Sequence, residues 1–175
     1  MTRKKNVSEI VLYTFIGIVV AFWAIFWLII GIYPNFAPNP PEPETKYGEF
    51  PFEIVYEIDG EVFTINDTYV CEFKGFEPSG GGGKCREWKG YLKSTGKKTY
   101  RCNLVSEENR VVDVFIGSSE YYMSDPEYHE HYPYLFGSDP KNDQSDTHDE
   151  DEIMEKFNVR IISSKLSEPI ENTYK

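Results

Sequence analysis

The stretch Phe50–Asp67, FPFEIVYEIDGEVFTIND, decides the fold. Phe50, Phe52, Ile54, Tyr56 and Ile58 alternate with Pro51, Glu53, Val55, Glu57 and Asp59. A period of two puts each set on its own face of a strand. Asp59-Gly60 then supplies the pair a two-residue type I′ turn needs, because both positions take positive φ. Folding on that turn predicts Tyr56 opposite Phe63 and Ile54 opposite Ile65 on one face. It sets Glu57 against Val62 and Glu53 against Asn66 on the other. Turn chemistry and hydrophobic pattern select the same register.

Reading toward the C-terminus, Tyr69, Cys71 and Phe73 alternate with Val70, Glu72 and Lys74, which predicts a third strand. GFEPSGGGGK (75–84) reads as a flexible loop. CREWKGYLKSTGKKTYRCNL (85–104) reads as a hairpin closed by Ser94-Thr95-Gly96 with Gly96 in the left-handed region. That register puts Trp88 against Cys102, Gly90 against Tyr100 and Leu92 against Lys98. A helix through Cys85, Trp88, Tyr91 and Leu92 is the competing reading, and Gly90 inside it would cost about 1 kcal/mol. VVDVFIG (111–117) predicts a further strand, and SSEYYMSD (118–125) a single helical turn capped by Ser118 or Ser119. Residues 124–148 are polar and Pro-punctuated and read as loop. DEDEIMEKFN (149–158) predicts a short helix that Asp149 caps and Asn158 closes. NVRIISS (158–164) reads as the last strand, and the tail KLSEPIENTYK as irregular. The expected fold is mainly β: a mostly antiparallel sandwich or open barrel of about six strands with one or two short helices.

Toward the N-terminus lies the run Ile10–Tyr33, IVLYTFIGIVVAFWAIFWLIIGIY, 24 residues without a charge. As a helix it would span about 36 Å, enough for a hydrocarbon core of about 30 Å. It exceeds the apolar region of a signal peptide, about 7–15 residues. The best cut site, after Ala37, has Asn35 where a small residue is wanted and Pro38 just beyond. The run therefore reads as a retained transmembrane anchor in contact with the lipid bilayer through residues 10–33. Trp23 and Trp27, four apart on one helical face, read as lipid-facing. Arg3, Lys4 and Lys5 precede the anchor with only Glu9 against them, which predicts a cytoplasmic N-terminus and a C-terminal part outside. Pro34, Pro38, Pro40, Pro41 and Pro43 follow, and predict an extended polyproline-like spacer. The expected organisation is a cytoplasmic tail at 1–9, the anchor at 10–33, a stalk at 34–49 and an extracytoplasmic β-rich domain at 50–175.

The chain has 18 Lys+Arg and 29 Asp+Glu. Setting aside Arg3, Lys4, Lys5 and Glu9 leaves 15 against 28, a net charge of −13. Such a surface repels nucleic acid and anionic headgroups and keeps a domain soluble. Cys71, Cys85 and Cys102 are too few and odd in number for a disulfide framework. Outside the cytosol one pair could form, but the alternation points Cys71 and Cys102 inward, as small buried hydrophobes.

Motifs that could carry chemistry are sparse. GGGGKC (80–85) lacks a phosphate loop's first glycine, which is Pro78, and its hydroxyl, which is Cys85. YHEHY (128–132) places His129 and His131 two apart, so that on a strand they could share a metal ion with Asp125 or Glu127. These are low-ranking metal candidates, since only His148 remains as a further histidine. SDPKNDQSDTHDEDE (138–152) is acidic, but its carboxylates are irregularly spaced and no glycine bends it into a calcium loop. It reads as a solvated loop. Nothing in the sequence brings Cys85 and a histidine together as a nucleophile pair. Asn66-Asp67-Thr68 is a glycosylation sequon that matters only in a secretory pathway. No catalytic or cofactor-binding residue is assigned, and no cofactor is expected.

YEIDGEVFTINDTYVCEF (56–73), GSSEYYMSD (117–125) and IISSKLSEPIENTYK (161–175) resemble a group of uncharacterised, single-pass membrane-anchored proteins of Gram-positive bacteria. The resemblance runs over most of the exterior part. It implies a cell membrane location facing the wall, and it brings no activity, ligand or site residue with it. The expected role is therefore binding or envelope-structural, with an envelope protein or wall component as partner and no nucleic acid. The alternatives are an envelope enzyme assembled from Glu120, Tyr121, Tyr122, His129 and His131, or a divalent-cation-responsive module built on the 138–152 loop.

Overall fold

The structure, a computed structural model, describes residues 7–79, 83–108, 110–126, 132–141 and 146–175. Helix α1 (Val7–Phe36) runs a few residues past each end of the apolar run. Within it, Glu9–Leu28 is long and apolar enough to cross a membrane, and none of that stretch is buried. Thr14 satisfies its hydroxyl inside the helix by donating to the Ile10 carbonyl at 2.9 Å.

The chain then forms β1 (Tyr47–Ile58), β2 (Glu61–Ser79), β3 (Gly83–Leu92), β4 (Arg101–Glu107) and β5 (Arg110–Phe115). The short helix α2 (Ser119–Tyr122), β6 (Tyr134–Ser138), helix α3 (Glu150–Phe157) and β7 (Val159–Leu166) complete it. The chain divides into two compact units. One comprises Met1–Pro40 with Phe76–Arg86, and the other Pro41–Gly75 with Glu87–Lys175. The strands form two antiparallel sheets, of order β3-β2-β1-β7 and β4-β5-β6, which lie in the larger unit apart from residues 76–79 of β2 and 83–86 of β3, so the mainly β expectation holds.

The hairpin at 50–67 folds in the expected register. Tyr56 lies opposite Phe63, Ile54 opposite Ile65, Glu57 opposite Val62 and Glu53 opposite Asn66. Asp59 and Gly60 take φ of 53° and 86°, the left-handed pair that the turn requires. Phe50, Phe52, Ile54 and Tyr56 are buried. They join one core with Val112 and Val114 of β5, Leu135 of β6, Ile153 and Phe157 of α3, and Val159 of β7. The two sheets thus bury a shared interior, the layered solution open to strands with one apolar face. Ser118 caps α2 and Asp149 caps α3, as the sequence predicts, and Asn158 closes α3 at φ 54°.

Four expectations change. The strand at Tyr69–Lys74 is the continuation of β2, which is one element of 19 residues. β6 lies inside the segment read as loop, where Leu135 and Gly137 turn inward and Tyr134 and Phe136 outward. The spacer does not extend over 34–49. Glu42 and Lys175 exchange backbone hydrogen bonds at 2.7 and 3.0 Å, and Glu44 N–H donates to the Thr173 carbonyl at 2.9 Å. Pro43 is fully buried there. Beyond β7 the C-terminal tail is irregular, as the sequence predicts, and it is held as a strap along residues 42–45. Fourth, β3 and β4 do not form a hairpin. Gly96 does sit in the left-handed region and closes on Leu92, but the chain then crosses to the second sheet.

One side chain fastens the two sheets at their turn ends. Arg110, 18% exposed, donates twice to Asp59, at 3.1 and 3.0 Å, twice to Glu107, at 3.2 and 2.9 Å, and once to the Phe157 carbonyl at 3.0 Å. All five guanidinium donors are used, in the bidentate geometry that suits carboxylates. The bonds from Arg110, then from Asn158, hold the Asp59 carboxyl below its usual range. A depressed carboxylate adds stability above its unfolded value, about 3.9, and loses it as pH falls through the lower folded value. Asp59 is half-exposed, so solvent screens much of this. Arg110→Met should lower the melting temperature by about 5 °C at neutral pH. The difference from wild type should shrink as pH falls below the unfolded carboxylate value, about 3.9, toward the lower folded one. Thermal unfolding followed from pH 7 to pH 2.5 measures both.

Candidate functional site

The broken β3–β4 pairing leaves an opening. Trp88 points inward from β3, and its Nε1–H donates to Asp125 Oδ2 at 3.0 Å, just past α2. Phe73 packs edge-on against the same indole, with centroids 5.3 Å apart. These contacts hold β3 on β2, while Cys102, Val105 and their neighbours follow β4 into the second sheet. Between β3 and residues 98–101 lies an open cleft of about 620 Å3. Ligand pockets commonly span about 300–1,000 Å3.

Its floor is polar and closely packed. Tyr69 Oη and Ser119 Oγ lie 3.3 Å apart, both buried, beneath Gly90. A β-carbon on Gly90 would sit 1.8 Å from Tyr69 Oη and 2.4 Å from Ser119 Oγ, so only glycine fits. Burial pushes the Tyr69 phenol above its usual range, so it stays a neutral hydroxyl. Lys89 stands on one wall, and Lys98 and Arg101 on the other. Arg101 lies 3.5 Å from Asp113, and Lys89 lies over the Tyr91 ring at 4.8 Å. Glu87 and Glu120 are the acidic residues of the lining.

These cations belong to a pattern visible in the sequence that whole-chain bookkeeping conceals. Residues 84–101 hold seven Lys+Arg and one acid, Glu87. The rest of the chain beyond residue 9 holds eight against 27. Three of the seven, Lys89, Lys98 and Arg101, line the cleft, against Glu87 and Glu120. At its rim Tyr100, 46% exposed, begins a run of rings: Tyr100 to Phe115 at 5.5 Å, Phe115 to Tyr134 at 4.7 Å and Tyr134 to Tyr132 at 5.5 Å. The sheet's outer face thus presents flat aromatic area continuous with the cleft.

The metal candidates fare differently. His129 and His131, with Glu127, lie outside the described residues. Asp125 is buried and engaged by the Trp88 indole, a structural role that the sequence did not suggest. Among the described residues no three of His, Cys, Asp and Glu come together as a metal-binding group. His148 packs against Phe136 and Tyr134. In the acidic segment, residues 142–145 fall outside the described residues, Asp149 serves as the α3 cap and Thr147 bridges to Gly137. Of the enzyme alternative's residues, Glu120 lines the cleft, whereas Tyr122 is buried and its hydroxyl donates to the Ile116 carbonyl at 2.6 Å. Gly83-Lys84 opens a strand, not the helix a phosphate loop needs.

Among the described residues no disulfide joins Cys71, Cys85 or Cys102. Burial pushes Cys71 up to about 12 and Cys102 up to about 11, whereas Cys85 is half-buried. A maleimide at pH 7.5 should therefore modify one thiol per native chain, at Cys85, and three in denaturant, as peptide mass spectrometry would show. Comparison with protein-family models, with curated proteins and with solved structures finds no match to this chain.

Proposed function

We propose that this chain is a single-pass protein of the bacterial cell membrane, with a cytoplasmic N-terminus and an extracytoplasmic β-rich unit that binds an envelope component in the cleft between β3 and residues 98–101. The observation that carries this reading is the concentration of Lys89, Lys98 and Arg101 in that cleft on a unit otherwise strongly acidic. A surface evolved for solubility alone would mix its charges, whereas a local field of opposite sign draws an anionic partner and sets its orientation. The bare apolar helix and the three cations before it support the anchor and its direction. The resemblance to membrane-anchored proteins of Gram-positive bacteria supports a partner in the wall-facing envelope.

Full-length protein in lipid nanodiscs, exposed to solubilised envelope proteins and to wall fragments, tests the reading. Capture should weaken at least tenfold in a Lys89→Glu/Lys98→Glu/Arg101→Glu variant, and should weaken as salt rises. Capture that ignores all three reversals, or no capture from either source, would remove the cleft as the binding site.

A further inference from the structure

The cleft has a second property, which concerns the backbone. Among the described residues β3 has one neighbour in the larger sheet, β2. At the end of β3, Leu92 turns both its N–H and its C=O away from β2. The N–H donates to the Lys97 carbonyl at 3.1 Å, and the C=O accepts from Gly96 N–H at 2.7 Å. Lys93 N–H points the other way, to Thr68 of β2, at 2.8 Å. Backbone polar groups alternate sides along a strand, so Gly90 and Trp88 present theirs on the same side as Leu92. That side is the cleft, and both residues line it. Among the described residues β4 is likewise an end strand of the second sheet, neighboured by β5. Its first residue, Arg101, lines the same opening. The turn at 93–97 begins a pairing with β3 that the chain abandons after Lys97.

We propose that the open edge of β3 takes an added strand, an extended segment of an acidic polypeptide that pairs with Trp88 and Gly90 and sets its carboxylates against Lys89, Lys98 and Arg101. The proposal rests on the cleft being the binding site, and it names the partner's chemistry. Strand addition draws affinity from main-chain hydrogen bonds and selectivity from alternate side chains. Here the edge offers the first and the flanking cations the second. Glycine at position 90 leaves the edge without a side chain, and Tyr69 and Ser119 beneath it are locked to each other. The acidic surface elsewhere on the unit steers such a segment away from other strands, because like charges repel it there.

An octapeptide of alternating Glu and Val, labelled with fluorescein, is the probe, with full-length protein in nanodiscs. Anisotropy should show saturable binding that falls at least tenfold in the Lys89→Glu/Lys98→Glu variant. A peptide of the same sequence, N-methylated at every second residue, keeps the charge and loses the strand edge, and should bind at least tenfold more weakly. Amide hydrogen exchange read by NMR should slow at least tenfold at Gly90 and Trp88 when the first peptide is present. Equal binding of the N-methylated peptide, or unchanged exchange at Gly90 and Trp88, would overturn the added strand and leave only charge attraction. A Lys-Val octapeptide that binds as well as the Glu-Val one would overturn the acidic partner. If the cation variants abolish envelope capture while no peptide slows exchange at Gly90, the binding cleft stands and the strand proposal falls.

Discussion

Gly90→Ala should lower the melting temperature by about 10 °C, corresponding to about 3 kcal/mol for a unit of this size. The added methyl would overlap Tyr69 Oη at 1.8 Å and Ser119 Oγ at 2.4 Å. A long flexible side chain would swing aside, but Tyr69 cannot. It is 2% exposed, its ring packs against Tyr122 with centroids 5.7 Å apart, and its hydroxyl is bonded to Ser119. Ser119 itself begins α2 and is buried, so the helix would have to move as well. Relief comes only by lifting β3 from the core, which exposes Trp88 and its bond to Asp125. Gly83→Ala at the start of the same strand is the control. No atom lies within 4 Å of a β-carbon there, and the change should stay within about 0.5 kcal/mol of wild type. Thermal unfolding of the two variants side by side, with equal melting temperatures, would refute the close approach at Gly90.

Removal of residues 167–175 should have the other large effect. The tail crosses the unit as a strap. Ser167 Oγ donates to the Pro51 carbonyl at 2.7 Å, and Ile170 N–H to the Tyr122 carbonyl at 3.0 Å. Tyr174 Oη donates to the Met123 carbonyl at 2.7 Å. Asn172 accepts from Thr45 N–H and donates to the Thr45 carbonyl, both at 3.0 Å. Thr173 and Lys175 side chains both bond the Glu44 carboxylate, which holds it below its usual range. Deletion strands the buried Tyr122 and Met123 carbonyls, and each unsatisfied group costs about 1–3 kcal/mol. It also frees Glu42–Thr45, so Pro43 loses its burial. The melting temperature should fall by at least about 10 °C, and limited proteolysis should cut first between residues 37 and 46. Tyr174→Phe removes one hydroxyl and should cost about 1 kcal/mol. A truncated chain that melts and resists protease as wild type does would show the strap to be ornamental.

The parts of this fold that could be read from sequence are those where local signals coincide. At Asp59-Gly60 a turn that needs two left-handed residues falls at the centre of an alternating pattern, so register follows. At the ends of α3, Asp149 caps with its side chain and Asn158 closes by adopting the left-handed backbone that asparagine tolerates. The error at 85–104 has the same origin as the success at 50–67. Gly96 does make the turn, but a turn fixes a hairpin only when no distant contact outbids it. Here Trp88 is claimed by Asp125, 37 residues on, and Gly90 by Tyr69 and Ser119. Strand β6 escaped notice because its inward set ends in Gly137, which contributes no hydrophobic signal. The strap pairs residues 42–45 with 172–175 through backbone groups, and backbone bonding leaves no residue pattern. The cleft draws on β2, β3, the 98–101 segment and α2, so no single motif could announce it. The basic stretch that supplies its three cations could have been counted, since seven Lys+Arg fall within residues 84–101. A net charge taken over the whole chain averages them away.

Two roles follow for the same stretch of chain. Residues 84–101 supply Lys89, Lys98 and Arg101 to the cleft and the strand edge proposed to pair with a partner, and they include Cys85, the least buried of the three thiols. That thiol permits the most direct check of the arrangement proposed for the protein in its membrane. Intact cells producing the chain are treated with a membrane-impermeant maleimide, and Cys85 modification is compared with that in lysed cells. Equal modification before and after lysis is the predicted result. Modification that appears only after lysis would place the β-rich unit on the cytoplasmic side and contradict the account.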